Sequence, residues 1–257
     1  MSDLDHFLCY PVKSGSQLYT PDIQQVTVRD QFLPINLGIK VNEPDMLCNP
    51  VTKTIKGKLP TPRERPGLHL FCYDITHQAS AVYGFKYDNQ FQEAATAKAD
   101  PMKQLCLPSH KQKRKNEEGF PALPPKLPLL SGLSHFTCYP VRPDMIFNKK
   151  NIKLEDQFKE YTVDVTGPVR LCNPAKKRVT FRPPNPGQPN PPRKSYNWVT
   201  PTLHLVCYRI TSKAAAPGAR TRVHNQFDGR PRAPGTWRTA TPGAPTELCL
   251  PSYKQKT

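Results

Sequence analysis

A chain of 257 residues with a net charge of +17, 37% apolar residues and 31 prolines has the size of one large domain or two ordinary ones. That much proline, about two and a half times the usual share, disfavours long helices and points to short strands joined by stiff turns. No run of about 18 apolar residues is present to cross a membrane as a helix, and Met1-Ser-Asp-Leu-Asp leads into the chain without the basic and apolar segments of an export signal.

The first predicted element is a strand at His6-Phe-Leu-Cys-Tyr10, and its pattern returns at His69 to Tyr73, His135 to Tyr139 and His204 to Tyr208. Each copy leads to an Asx-Gln-Phe segment (Asp30 to Phe32, Asn89 to Phe91, Asp156 to Phe158, Asn225 to Phe227) and then to a Leu-Cys-x-Pro box (Leu47 to Pro50, Leu105 to Pro108, Leu171 to Pro174, Leu248 to Pro251). Copies one and three share Asp-Gln-Phe and Leu-Cys-Asn-Pro; copies two and four share Asn-Gln-Phe and Leu-Cys-Leu-Pro-Ser-x-Lys-Gln-Lys. The nesting reads as duplication of a unit that is itself two similar quarters.

Aromatic and β-branched residues make the first box a strand, with Phe136 and Cys138 on one face and His135, Tyr139 and Val141 on the other. The second segment alternates: Ile152, Leu154, Asp156 and Phe158 against Lys153, Glu155 and Gln157, and Val26, Val28, Asp30 and Phe32 against Thr27, Arg29 and Gln31. The proline of the third box is expected to end its strand. About three strands per quarter give an all-β fold: two similar antiparallel sandwich or partly closed barrel domains, each a pseudo-twofold pair of three-stranded repeats. The first domain spans 1–113 (quarters near 5–56 and 68–113) and the second 133–257 (quarters near 134–181 and 202–256). A basic, Pro-rich linker covers 114–132, and a second Pro-rich insertion runs from Pro183 to Pro192.

Eight cysteines fall two to a quarter: Cys9 and Cys48, Cys72 and Cys106, Cys138 and Cys172, Cys207 and Cys249. Because both boxes repeat as a unit, pairing within quarters is the favoured framework, each bridge closing a loop of about 35 to 43 residues and contributing about 3 to 4 kcal/mol. Crossed pairing between quarters and buried free thiols are the alternatives. A metal site is disfavoured, since Leu-Cys-x-Pro offers one ligand where zinc motifs offer two, and His135 and Cys138 point to opposite faces. The repeated histidine is read as a hydrogen-bond anchor at the strand entrance.

No phosphate loop, nucleophile elbow or metalloprotease helix motif is present. Asp30, Asn89, Asp156 and Asn225 alternate acid with amide at equivalent positions, so they are read as turn formers and not as acid–base groups. Gln31, Gln90, Gln157 and Gln226 recur beside a buried Phe, either as hydrogen-bonding groups or as a contact surface. Charge is uneven: residues 1–131 carry 16 Lys/Arg against 13 Asp/Glu, while residues 132–257 carry 21 against 7. Lys176, Lys177, Arg178, Arg193, Lys194, Trp198, Arg220 and Arg222 therefore form a candidate polyanion contact.

The ordered boxes His-Phe-x-Cys-Tyr-x-Val, Asp-Gln-Phe, Leu-Cys-Asn-Pro-x-x-Lys, His-Leu-x-Cys-Tyr-x-Ile, Asn-Gln-Phe and Leu-Cys-x-Pro-Ser-x-Lys resemble an uncharacterised bacterial repeat module of exported proteins, found in deltaproteobacterial and similar genomes. The resemblance covers most of residues 5–113 and 134–256, implies an extracytoplasmic setting and brings no activity with it. The sequence thus reads as a non-enzymatic exported or cell-surface structural or binding module without cofactor or metal, its partner a protein, a surface polymer or another copy of itself. The alternative is a basic polyanion- or nucleic-acid-binding protein acting through residues 132–257.

Overall fold

The computed structural model describes residues 4–14, 23–114, 130–181, 194–197, 199, 201–212, 215–228 and 237–257. The first quarter supplies β1 (Phe7–Ser14), β2 (Ile23–Arg29), β3 (Leu37–Pro50) and β4 (Thr52–Thr54). The second supplies β5 (His69–Thr76), β6 (Tyr83–Asp88), β7 (Ala95–Ala99) and β8 (Gln104–Lys113). The third holds β9 (His135–Pro143), β10 (Lys149–Glu155) and β11 (Glu160–Phe181). β12 (Lys194–Tyr196) lies between the third quarter and the last, which holds β13 (His204–Ser212), β14 (Thr221–Asn225), β15 (Arg238–Pro242) and β16 (Glu247–Lys256).

The fold is all-β and antiparallel, as the alternation predicts, but the two halves do not form separate sheets. The cysteine-bearing strands run in the ring β1–β3–β5–β8–β9–β11–β13–β16, and β16 pairs again with β1. The two halves join in this ring: β8 meets β9 and β16 meets β1 across the half boundary. Closure leaves these eight strands without the open edge that a half-ring would expose. Residues 115–129 of the expected linker and the insertion from Pro183 to Pro192 lie outside the described residues.

The remaining strands form arms outside the ring. From the first quarter, β2 pairs with β3 and with the far end of β11; β10 pairs with β11 and β4. The β6–β7 hairpin bridges β16 and β9, and the β14–β15 hairpin bridges β8 and β1. Every arm therefore docks on at least one quarter other than its own.

Ring strands are buried on both faces. Cys9, Cys138 and their equivalents join Phe7, Leu70, Phe136 and Leu205 in an inner core, while Leu8, Tyr10, Tyr139 and Val141 join an outer core beneath the arms. In the arms, Ile152, Leu154, Val26 and Val28 are buried and Lys153, Glu155 and Arg29 exposed. The box proline does not end its strand in three quarters: β8, β11 and β16 run on past Pro108, Pro174 and Pro251. At each of these levels the next quarter's ring strand has not begun, so a residue without a donor faces an open side of the ladder and costs no sheet bond.

Candidate functional site

All eight cysteines are bridged within their quarters: Cys9–Cys48, Cys72–Cys106, Cys138–Cys172 and Cys207–Cys249. In each pair the two residues stand directly opposite on neighbouring ring strands. Cys9 Sγ touches Cys249 Sγ, and Cys106 Sγ touches Cys138 Sγ, both at 3.6 Å. Neither sulfur of such a pair carries a proton, so these are van der Waals contacts between cystines. Cystines thus fill the middle of the ring.

Above them lies a polar rim where the four quarters differ. Two residues before the second cysteine stand Met46, Gln104, Arg170 and Glu247. Gln104 Nε2 donates to Asp45 Oδ2, and Arg170 donates to Glu247 Oε1 at 3.0 Å. Burial, then the nearby charge of Asp74, pushes the Asp45 carboxyl up to about 7. A cavity of about 170 Å³ opens here between Asp45, Asp74, Gln104 and Arg170. Cys207, Cys249 and Glu247 place ligand-type atoms within 4.8 Å of one another, but both sulfurs are committed to a disulfide and offer no thiolate to a metal.

Each Asx-Gln-Phe segment is a turn, as predicted. Asp30 Oδ1 accepts from the backbone N–H groups of Phe32 (2.7 Å) and Leu33 (2.9 Å), and Asp156, Asn89 and Asn225 hold the same turn. The second side-chain atom reaches the diagonally opposite quarter. Tyr139 donates to Asp30 Oδ2 and Tyr10 to Asp156 Oδ2, both at 2.7 Å. Where the residue is Asn the bond reverses: Asn225 Nδ2 donates to Tyr73 Oη at 2.8 Å, and Asn89 Nδ2 to Tyr208 Oη at 3.0 Å. A tyrosine hydroxyl gives or accepts, which is why acid and amide interchange here without changing the fold.

The turn's phenylalanine roofs a buried lysine. Lys53, Lys111, Lys177 and Lys254 each stand five residues after the second cysteine. Their Nζ atoms lie over Phe91 (4.6 Å), Phe158 (4.1 Å), Phe227 (4.4 Å) and Phe32 (3.7 Å), the aromatic coming each time from the following quarter in cyclic order. Burial above all lowers Lys53, Lys111 and Lys254 to about 7, and Lys177 well below the ordinary lysine range. The box histidine lines each niche and is held neutral by burial: His6 and His204 drop to about 3, and His69 and His135 also fall. The anchoring role expected of it holds in three quarters, with His69 Nδ1 on Asn49 Oδ1 and His204 Nδ1 on Asn173 Oδ1, each at 3.1 Å, and His135 Nε2 on Gln226 Oε1 at 2.6 Å.

The niches are of two kinds. Those of Lys111 and Lys254 contain Asn49 and Asn173 with Asp156 and Asp30. At the position of those asparagines the other two quarters carry Leu107 and Leu250. The niches of Lys53 and Lys177 are instead lined by Gln90 and Gln226, from the Asn-Gln-Phe turns. Gln31 and Gln157 are exposed, Gln157 donating to the Pro66 carbonyl at 2.8 Å. The lysines escaped the sequence reading although their fixed spacing from cysteine was visible; nothing local told that a lysine would be buried.

The polyanion set divides. Arg178, Lys194 and Arg220 are exposed, and Lys176 is half-buried. Lys177 is buried at 1% exposure and is withdrawn as a surface contact, because strand alternation turns it inward between its two neighbours. Arg222 is half-buried, donates to Gln112 Oε1 at 2.7 Å and lies over the Trp237 ring at 5.2 Å. Arg193 and Trp198 lie outside the described residues. In comparisons with family models, curated proteins and solved structures, nothing matches the chain.

Proposed function

We propose that the chain is a non-enzymatic, extracytoplasmic structural or adhesive module of the bacterial repeat type, a rigid ring that presents its arms and loops to a protein or surface polymer. The observation that carries this reading is the row of four cystines inside the ring, with no cysteine left as a thiol. Such a core assembles in an oxidising compartment and holds poorly in a reducing one. The filled interior also supports a role on the outer surface over passage through the middle.

Alkylation of the native protein, followed by intact mass before and after reduction, tests the reading. The expected result is no modification until reductant is added. Eight thiols alkylated at once, in a protein that remains folded, would remove the reason for an extracytoplasmic setting. Capture of the full chain on immobilised cell-wall polymer, absent for the reduced protein, is the companion measurement for adhesion.

A further inference from the structure

Two of the four lysine niches bring an amine, a carboxamide and a carboxyl group together out of water. Asn49 is fully buried and Asp156 is 6% exposed. Lys111 Nζ lies 2.9 Å from Asn49 Oδ1, and Asn49 Nδ2 donates to Asp156 Oδ2 at 2.7 Å. That second bond fixes the amide's orientation, so Oδ1 is the acceptor on the other side and His69 Nδ1 carries its proton toward it at 3.1 Å. The pseudo-symmetric site repeats the set: His204 Nδ1 meets Asn173 Oδ1 at 3.1 Å, Asn173 Nδ2 faces Asp30 Oδ2 at 3.5 Å, and Lys254 is buried against Phe32. Lys254 Nζ has no hydrogen-bond partner among the described residues.

We propose that these residues condense with one another, forming intramolecular isopeptide bonds Lys111–Asn49 and Lys254–Asn173, so that two amide cross-links accompany the four disulfides. Burial shifts the amine toward its neutral, reactive form. Rotation about the lysine's Cδ–Cε bond carries Nζ from Oδ1 to the face of Cγ, while the histidine N–H keeps its place on the oxygen. The Nζ lone pair then forms the new bond to Cγ, and the carbonyl pair moves onto Oδ1, where that N–H stabilises it. The proton lost from Nζ passes by way of the aspartate to Nδ2, to which it is already hydrogen-bonded. The Cγ–Nδ2 bond breaks, the carbonyl re-forms and ammonia leaves. One amine and one carboxamide become one secondary amide and one ammonia, with no oxidant or cofactor. The step occurs once per site and is not turnover.

The chain carries its own control. The niches of Lys53 and Lys177 have the buried amine, the aromatic and the histidine, but leucine stands in place of the asparagine and the turn residue is Asn89 or Asn225. Lys53 even bonds a carboxamide, that of Gln90, yet the turn residue of that arm is an amide and offers no carboxyl to move the proton. Cross-linking belongs to Lys111 and Lys254 alone. Asp and Asn segregate between the two kinds of niche together with Asn and Leu, and hydrogen bonding to tyrosine alone does not require that pairing.

Intact mass of the full-length chain, reduced, alkylated and denatured, is the test. The expected value falls below the mass of the sequence with eight alkylated cysteines by two ammonia molecules, and a peptide map contains Lys111 joined to Asn49 and Lys254 joined to Asn173. Asp156→Asn and Asp30→Asn each restore one ammonia; the fold tolerates the change, since Asn already forms this turn in two quarters. Lys53→Met and Lys177→Met leave the deficit as it is. A wild-type chain with the full mass of the eight-fold alkylated sequence would overturn the proposal without any variant. So would a deficit that survives in the Asp30→Asn/Asp156→Asn double variant, or joined peptides containing Lys53 or Lys177.

Discussion

At Lys177 the cost of burying an ammonium meets two aromatic faces, Phe227 at 4.4 Å and Tyr196 at 4.8 Å. Two cation–π contacts return about 2 to 4 kcal/mol when desolvated, less than the cost of a lone charge in an apolar site, and Nζ has no hydrogen-bond partner among the described residues. The amine is therefore neutral in the fold and protonated in the unfolded chain. Between its lowered folded value and the ordinary value near 10, the unfolded state binds the extra proton, so stability rises with pH across that window and is lost as pH falls through it. Lys53, lowered to about 7, adds the same slope from about 7 to 10. Lys177→Met is expected to raise stability at pH 7 by about 1 to 3 kcal/mol and to flatten the rise between pH 7 and 10, both read from urea denaturation. An unchanged slope would mean that the lysine stays charged when buried. The sequence shows this residue's spacing but not its burial; neighbouring Lys176 and Arg178 carry the same charge, and only strand phase separates them.

Among the elements, the alternation in β2 and β10 was legible because a half-buried strand writes its period of two directly into the residues. The two-faced burial of β9 was legible in its Phe136, Cys138, Tyr139 and Val141. What could not be read was which quarter each arm would join, for pairing between repeats of like sequence leaves no local mark; the Asx residues pointed to turns, while their bonds to diagonal tyrosines needed coordinates. Those bonds give a prediction. Asn225→Ala removes the turn bond to Phe227 N–H and leaves Tyr73, fully buried, short of its donor. A loss of about 1 to 3 kcal/mol follows, with faster amide exchange in β14 and β15 than in the ring. Asn225→Asp keeps the turn and lets the tyrosine donate, as at Asp30, and should cost less than the alanine.

As a whole, the molecule is held by bridges and by closure. Each disulfide spans 34 to 42 residues, a loop size for which about 3 to 4 kcal/mol is expected apiece, so full reduction should abolish cooperative unfolding near neutral pH. Charge acts on the same scale: reversing Arg178, Lys194 and Arg220 to Glu in the full chain should lower the salt needed to elute it from heparin, and unchanged elution would discard the polyanion reading. An isolated half cannot serve for that comparison. Residues 1–113 contain β1, β3, β5 and β8 as half a ring, with β1 stripped of β16 and β8 of β9. Asp30 and Asn89 would lose Tyr139 and Tyr208, and β2, β6 and β7 their partners on β11, β16 and β9. Both cores would then open to water, and two disulfides restrict the unfolded chain without replacing that buried surface. Fragment 1–113 alone should lack a cooperative thermal transition and dispersed amide resonances, and refolding it with 132–257 should restore both. A well-dispersed spectrum from the lone fragment would mean that each half folds by itself and the ring is assembled from finished parts.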